Sequence, residues 1–246
     1  MSVFKFISKV PTLFWYILWV YIISPFSYSK ETLKCATTHY PPYTIYDSKS
    51  SNFSGYDMDI INAFAKNLNI EISVANLPWA RLKLEIKKNN YDCFFSLAKL
   101  EYREDYLDFT TVPIHVTKIG IFYPKNIEFE SIDFSQKVIG IHRGINFHED
   151  ITHPKNFQLA KFHKLQSNEV LFEMLESKRV DMVLTSMAVG QFLLEKNNIN
   201  EKFNMFEVEG YQLPVYIAFT KGKFDLQTFS STLESVISKS KTKTKT

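Results

Sequence analysis

Between residues 33 and 97, apolar strand-like runs alternate with stretches of helical period, and this alternation limits the fold more tightly than any other feature. A strand at 33–37 and a Pro-containing loop precede a helix in which Ile60, Ile61, Phe64 and Leu68 recur at helical spacing. A strand at 70–74, a Leu-Pro-Trp turn, a helix at 81–88 and a buried strand at 91–97 complete a βαβαβ order. That order calls for a parallel sheet covered on both faces, with ligands gathering at the carboxyl ends of the strands. A second unit repeats the style, with strands at 137–141, 158–162 and 180–184 and helices at 168–177 and 187–196. A late strand at 215–219 follows, and Leu226, Phe229, Leu233 and Val236 trace one stripe of a terminal helix. The expectation is an α/β protein of two lobes. The extended apolar segments 120–125 and 214–220 suit two strands that cross between the lobes as a hinge. Residues 30–121 and the returning segment 214–238 form lobe 1, residues 122–213 form lobe 2, and 239–246 form a disordered basic tail.

At the amino terminus, Lys5 and Lys9 precede an apolar run over residues 11–23, too short for a stable membrane span. With Ser27 and Ser29 as the small residues of a cleavage site, residues 1–29 read as a signal peptide that is removed, which places the rest of the chain in the periplasm. The alternative is an uncleaved anchor, which the aromatic run Trp15, Tyr16, Trp19 and Tyr21 keeps open. Loss of Lys5 and Lys9 lowers the formal charge from +3 to +1, and Lys239, Lys241, Lys243 and Lys245 crowd one end. A mildly acidic body with a lysine-threonine tail lacks the distributed basic face of a nucleic-acid binder. Cys35 and Cys93 lie in strand-like runs, where export permits a disulfide and two buried thiols are the alternative. No histidine or carboxylate cluster stands at metal-ligand spacing, so neither a metal nor a cofactor is expected.

Six short pieces then appear in a telling order: Tyr40-Pro-Pro-Tyr43, Gly55-Tyr-Asp-Met-Asp-Ile60, Leu77-Pro-Trp-Ala-Arg81, Tyr91-Asp-Cys-Phe-Phe95, Arg103 before Leu107-Asp-Phe-Thr110, and Ile139-Gly-Ile-His-Arg-Gly144. In this order the sequence resembles the extracellular solute-binding proteins of family 3, the polar-amino-acid-binding type. The resemblance implies the type II periplasmic-binding-protein fold. It also implies that Tyr40 and Trp79 wall the ligand, with flat faces suited to apolar, planar or cationic groups. Arg103 matches the arginine that grips the ligand's carboxylate, a task its planar fork performs bidentately. The plain alternative for Arg103 is an ion pair with Glu101, Glu104 or Asp105. Ser96 lies in the stretch 96–99 that would neighbour the ligand, which is one residue shorter here than in many relatives.

In lobe 2, Asn146 stands where a hydroxyl helps hold the carboxylate. Thr185 and Ser186 stand where relatives place the acid that pairs with an ammonium. A neutral hydroxyl cannot balance a desolvated ammonium, so a carboxylate ligand without one fits better. Asp57 and Asp59 read as residues that cap the first helix and complement its dipole. Asp181 reads as a structural turn residue. His39 and His142 are the histidines that could face the cleft. The expected function is capture of a small carboxylate ligand by hinge closure, by a monomer that serves an ABC permease or a membrane sensor. The alternative is a dehydratase-like enzyme on the same scaffold.

Overall fold

A computed structural model of the chain describes residues 30–145, 151 and 154–243. The signal segment 1–29 and Asn146 lie outside the described residues. Eleven strands run through the described chain: β1 (Thr32–Thr37), β2 (Ile45–Asp47), β3 (Asn52–Ser54), β4 (Glu71–Asn76), β5 (Cys93–Ala98), β6 (Leu107–Phe109), β7 (His115–Pro124), β8 (Val138–His142), β9 (Lys161–Leu165), β10 (Met182–Ser186) and β11 (Phe203–Thr220). The helices are α1 (Tyr56–Leu68), α2 (Trp79–Glu85), α3 (Glu101–Glu104), α4 (Asn168–Glu176), α5 (Met187–Lys196) and α6 (Leu226–Lys243). The principal sheet has the order β4-β1-β5-β11-β7-β10-β8-β9, with β6 on β11.

The parallel trio β4-β1-β5 belongs to lobe 1 and the parallel trio β9-β8-β10 to lobe 2. The long antiparallel strands β7 and β11 join them. Their register breaks between the pairs Lys118–Gln212 and Gly120–Glu207, which marks the crossing between lobes just before the extended segments noted in the sequence. The architecture is the type II periplasmic-binding-protein arrangement of two α/β lobes on a two-strand hinge.

Lobe 1 has a core on each face of its strands. Leu33, Cys35, Ile61, Phe64, Phe95 and Leu233 pack on one face, and Ala36, Leu82, Phe94, Leu97 and Leu107 on the other. Each such large side chain contributes about 1.5–3 kcal/mol by leaving water. Along β5 the strict alternation fails after Phe95, because Ser96 adopts φ 58° and its partner strand shifts register between Tyr216 and Ala218. A bulge of this kind re-aims one side chain, here that of Ser96. Cys35 and Cys93 are paired neighbours on β1 and β5 and form a disulfide, so the two-thiol alternative does not hold.

The start of α1 corrects one expectation. Its first amides donate to loop carbonyls, Tyr56 N–H to Pro42 at 3.3 Å and Asp57 N–H to Tyr43 at 2.9 Å, and no side chain caps the helix. A Cβ on Gly55 (φ 110°) would sit 2.5 Å from the Tyr43 carbonyl oxygen, so glycine is what lets the Tyr40–Tyr43 loop lie against the helix. Helix α6 continues to Lys243, past Lys239 where a disordered tail was expected.

Candidate functional site

Where β1, β5, β8 and β10 end, the lobes face each other, and their approach is close. The Trp79 indole N–H, in the first turn of α2, donates to the Gly144 carbonyl at 3.3 Å, and the Lys83 ammonium reaches the same oxygen at 3.4 Å. Gly144 has φ 82°, and a Cβ there would lie 2.5 Å from Lys83 Nζ. The glycine loop of lobe 2 thus fits tightly under α2. Nearby, His39 Nε2 of lobe 1 lies 3.3 Å from Glu169 Oε1 at the start of α4. Tyr46 N–H donates to His39 Nδ1 at 3.0 Å, so Nε2 is the nitrogen that carries hydrogen toward Glu169. That hydrogen bond is the first cause holding the Glu169 carboxyl down at about 2, with its own helix-start amide and Ser167 assisting.

A small cleft cavity of about 10 Å³ is lined by Tyr40, Ile141, His142, Ile145, Thr185 and Ser186, among others. It brings together Tyr40 of lobe 1 and Ser186 of lobe 2. Burial pushes the Tyr40 phenol up. The Ser186 hydroxyl is near enough to temper that rise, yet no group meets it with hydrogen-bond geometry. Ser186 is 2% exposed and is the residue before α5, where its side chain caps nothing. Its neighbour Thr185 is occupied, donating to Asn168 Oδ1 at 2.9 Å. His142 also lines the cavity, and burial lowers its imidazole first of all.

Arg103 and Trp79 form a second group, on the lobe 1 side and outside the walls of that cavity. Arg103 is 2% exposed. One terminal nitrogen donates to the Ala98 carbonyl at 2.6 Å, while Nε is buried without a partner. Its Cζ lies 5.2 Å from the Trp79 ring centre and 5.3 Å from that of Tyr102. Burial lowers its pKa. The local ion pair weighed for Arg103 is not made: Glu104 pairs with Lys99 at 2.9 Å, and among the described residues no carboxylate meets the guanidinium. A desolvated cation without a counter-charge is costly, and here two aromatic faces and one carbonyl are what meet it.

Ser96 is turned away from these groups. Its hydroxyl donates to Asp57 Oδ2 at 2.5 Å. Asp57, fully buried, is therefore no helix cap, and its other oxygen meets His115 Nδ1 at 2.8 Å. Sequence reading did not single out His115, because nothing in its local spacing announces a partner 58 positions away. Asp181 keeps the structural role expected of it, accepting from Val138 N–H at 2.8 Å. Among the described residues no group of three or more potential metal ligands gathers, and no helix is long and apolar enough to cross a membrane.

Two lobes, a two-strand hinge and a cleft between them define a periplasmic-binding-protein fold. The family model of the bacterial extracellular solute-binding proteins, family 3, matches residues 33–138. The chain is similar to the L-cystine-binding protein TcyA of Bacillus subtilis (strain 168), 24% identical over 185 residues that make up 74% of this chain and 67% of that protein. It superposes on an ancestral arginine-binding protein bound to arginine with a TM-score of 0.70 and 21% identity, covering 87% of this chain and 93% of the other. It is equally similar in fold to a histidine kinase sensor domain with similarity to periplasmic binding proteins, at TM-score 0.71 and 18% identity over 86% and 92% of the two chains.

Proposed function

We propose that this chain is a periplasmic solute-binding protein that captures a small carboxylate-bearing ligand, an amino acid or a related acid, by closure of its lobes. The observation that carries the reading is Arg103: a guanidinium 2% exposed, with a free Nε and no acid beside it. A ligand carboxylate would supply the missing charge through parallel hydrogen bonds. Tyr40 and Trp79 are its proposed aromatic walls and Ser186 its lobe 2 donor, with the unpartnered hydroxyl of Ser186 as support. Ser96 and Asn146 remain proposed neighbours of the ligand; the Ser96 hydroxyl would have to leave Asp57 to take part. Arg103 and Ser186 are groups for pairing and hydrogen bonding, so the reading is binding without chemistry. The membrane partner is either a transport permease or a sensor. Similar proteins named for amino-acid binding and a similar sensor domain support the two choices.

The test is a thermal-shift screen of the purified protein against amino acids, their deaminated counterparts, short peptides and polyamines, since a ligand that prefers the native state raises the melting temperature. Carboxylates are expected to give the shift, and Arg103→Ala is expected to weaken binding at least about 30-fold, because truncating one member of a buried charge pair costs about 2–5 kcal/mol. A carboxylate that binds Arg103→Ala as well as the wild type removes the assignment.

A further inference from the structure

Three planar rings stand in a column at the hinge. The Tyr40 and Tyr43 rings lie 5.8 Å apart at 17°, and the Tyr43 and His115 rings 3.7 Å apart at 3°. His115 opens β7, the strand that leaves lobe 1 for lobe 2. Both of its ring nitrogens are held: Nδ1 lies 2.8 Å from Asp57 Oδ1, and Nε2 lies 3.0 Å from Thr117 Oγ1. A carboxylate accepts only, so Nδ1 donates to Asp57. Contacts at both nitrogens fix the plane of the imidazole as well as its position, which a merely space-filling ring would not require. Asp57 is itself locked, fully buried and bonded to the Ser96 hydroxyl. The far end of the column meets the other lobe, where Tyr40 and Tyr43 pack against the core that includes Phe122 and Val189, and Tyr40 lines the cavity with Ser186.

We propose that His115 is a positioning residue of the binding cleft, clamped by Asp57 and Thr117 so that its ring aligns Tyr43 and, through Tyr43, sets the ligand wall formed by Tyr40. The inference rests on the reading that Tyr40 walls the ligand. An edge-anchored imidazole at the base of the stack leaves Tyr40 one orientation in which its face meets a ligand as the lobes close. Loss of the anchored ring frees Tyr40 to rotate, and the binding site loses pre-organisation without losing any group that touches the ligand.

The experiment is a double-mutant cycle between His115→Asn, which keeps a donor for Asp57 but removes the ring, and Tyr40→Ala. With the carboxylate found by the screen, His115→Asn is expected to weaken binding about tenfold, within the range shown by coupled neighbours. In the Tyr40→Ala background it should weaken binding no further. Unchanged affinity in His115→Asn, or losses that multiply in the double variant, overturns the proposal. A readout independent of any ligand is nitration of Tyr40, mapped by mass spectrometry against the exposed Tyr56 and Tyr102 as internal standards. Tyr40 is expected to react several-fold faster in His115→Asn, and no change overturns the proposal even if the screen yields no ligand. His115→Gln, which also keeps a donor for Asp57 and removes the ring, provides the same comparison if His115→Asn does not fold. Faster nitration with unaltered affinity would remove Tyr40 from the ligand wall and so overturn the proposal as stated, while leaving the Arg103 assignment intact.

Discussion

At the scale of single residues, Ser186 is the proposed lobe 2 contact of the ligand. Its hydroxyl is buried, borders the cavity and has no partner, while the adjacent Thr185 is committed to Asn168. Ser186→Asp would place a carboxylate there, at the start of α5 where an acid suits the helix dipole. Without a ligand the new charge is buried and unpaired, so the melting temperature should fall. With an α-amino acid present it gains an ammonium partner, and the preference for amino acids over their deaminated counterparts should rise by at least about tenfold, a change of roughly 1.4 kcal/mol. Calorimetric affinities for one such pair of ligands, in wild type and variant, measure the ratio, and an unchanged ratio would place Ser186 outside the ligand's reach. Residues of this kind were only partly legible beforehand. Arg103 was suggested by its place in an ordered set of motifs, and its lack of a counter-ion became visible only in three dimensions. Asp57 looked like a helix cap because sequence shows a helix start but not the loop carbonyls that had already satisfied its amides. His115 was not seen at all, since its meaning comes entirely from Asp57, Thr117 and Tyr43.

At the scale of elements, hydrophobic period was a reliable guide where one face is buried. Ile61 and Phe64 sit under α1, and the three strands expected in lobe 1 form the parallel trio β4-β1-β5. Period failed where a local distortion overrides it. In β5, the left-handed Ser96 moves Leu97 to the face opposite Phe95, and nothing in the apolar run of residues 93–98 signals that break. The same strand carries the disulfide that ties it to β1, closing a separation of 58 residues. In the chain-entropy picture a loop of that size stabilises by about 4 kcal/mol. Cys35→Ser with Cys93→Ser should therefore lower unfolding free energy by about 2–4 kcal/mol in a urea titration, while ligand preference stays as in wild type, because both sulfurs lie in the lobe 1 core and away from the cleft. A change in ligand preference would show that β1 and β5 transmit strain to the site.

At the scale of the whole binding unit, closure is what makes the two lobes one site, and among the described residues polar contacts across the cleft include those of Trp79 and Lys83 with the Gly144 carbonyl and that of His39 with Glu169. In the last of these, the Glu169 carboxyl is the group whose pKa is shifted. With the lobes together, the His39 hydrogen bond keeps the Glu169 carboxyl at about 2, against an ordinary 4.5. With the lobes apart, that partner is withdrawn and the carboxyl returns toward its ordinary value. A group whose pKa is depressed in one state favours that state above the undisturbed pKa and loses the advantage as pH falls. The closed form should therefore be favoured in full above pH 4.5 and progressively less as pH drops from 4.5 toward 2. A donor–acceptor fluorophore pair placed across the cleft should report lobe separation in that window for the wild type, with circular dichroism confirming that the fold persists. Glu169→Gln keeps a hydrogen-bonding side chain without the titration, so its lobe separation should be flat through the same window and its affinity independent of pH there. If the variant opens over the same pH range as the wild type, another carboxylate governs closure and the His39–Glu169 contact merely accompanies it.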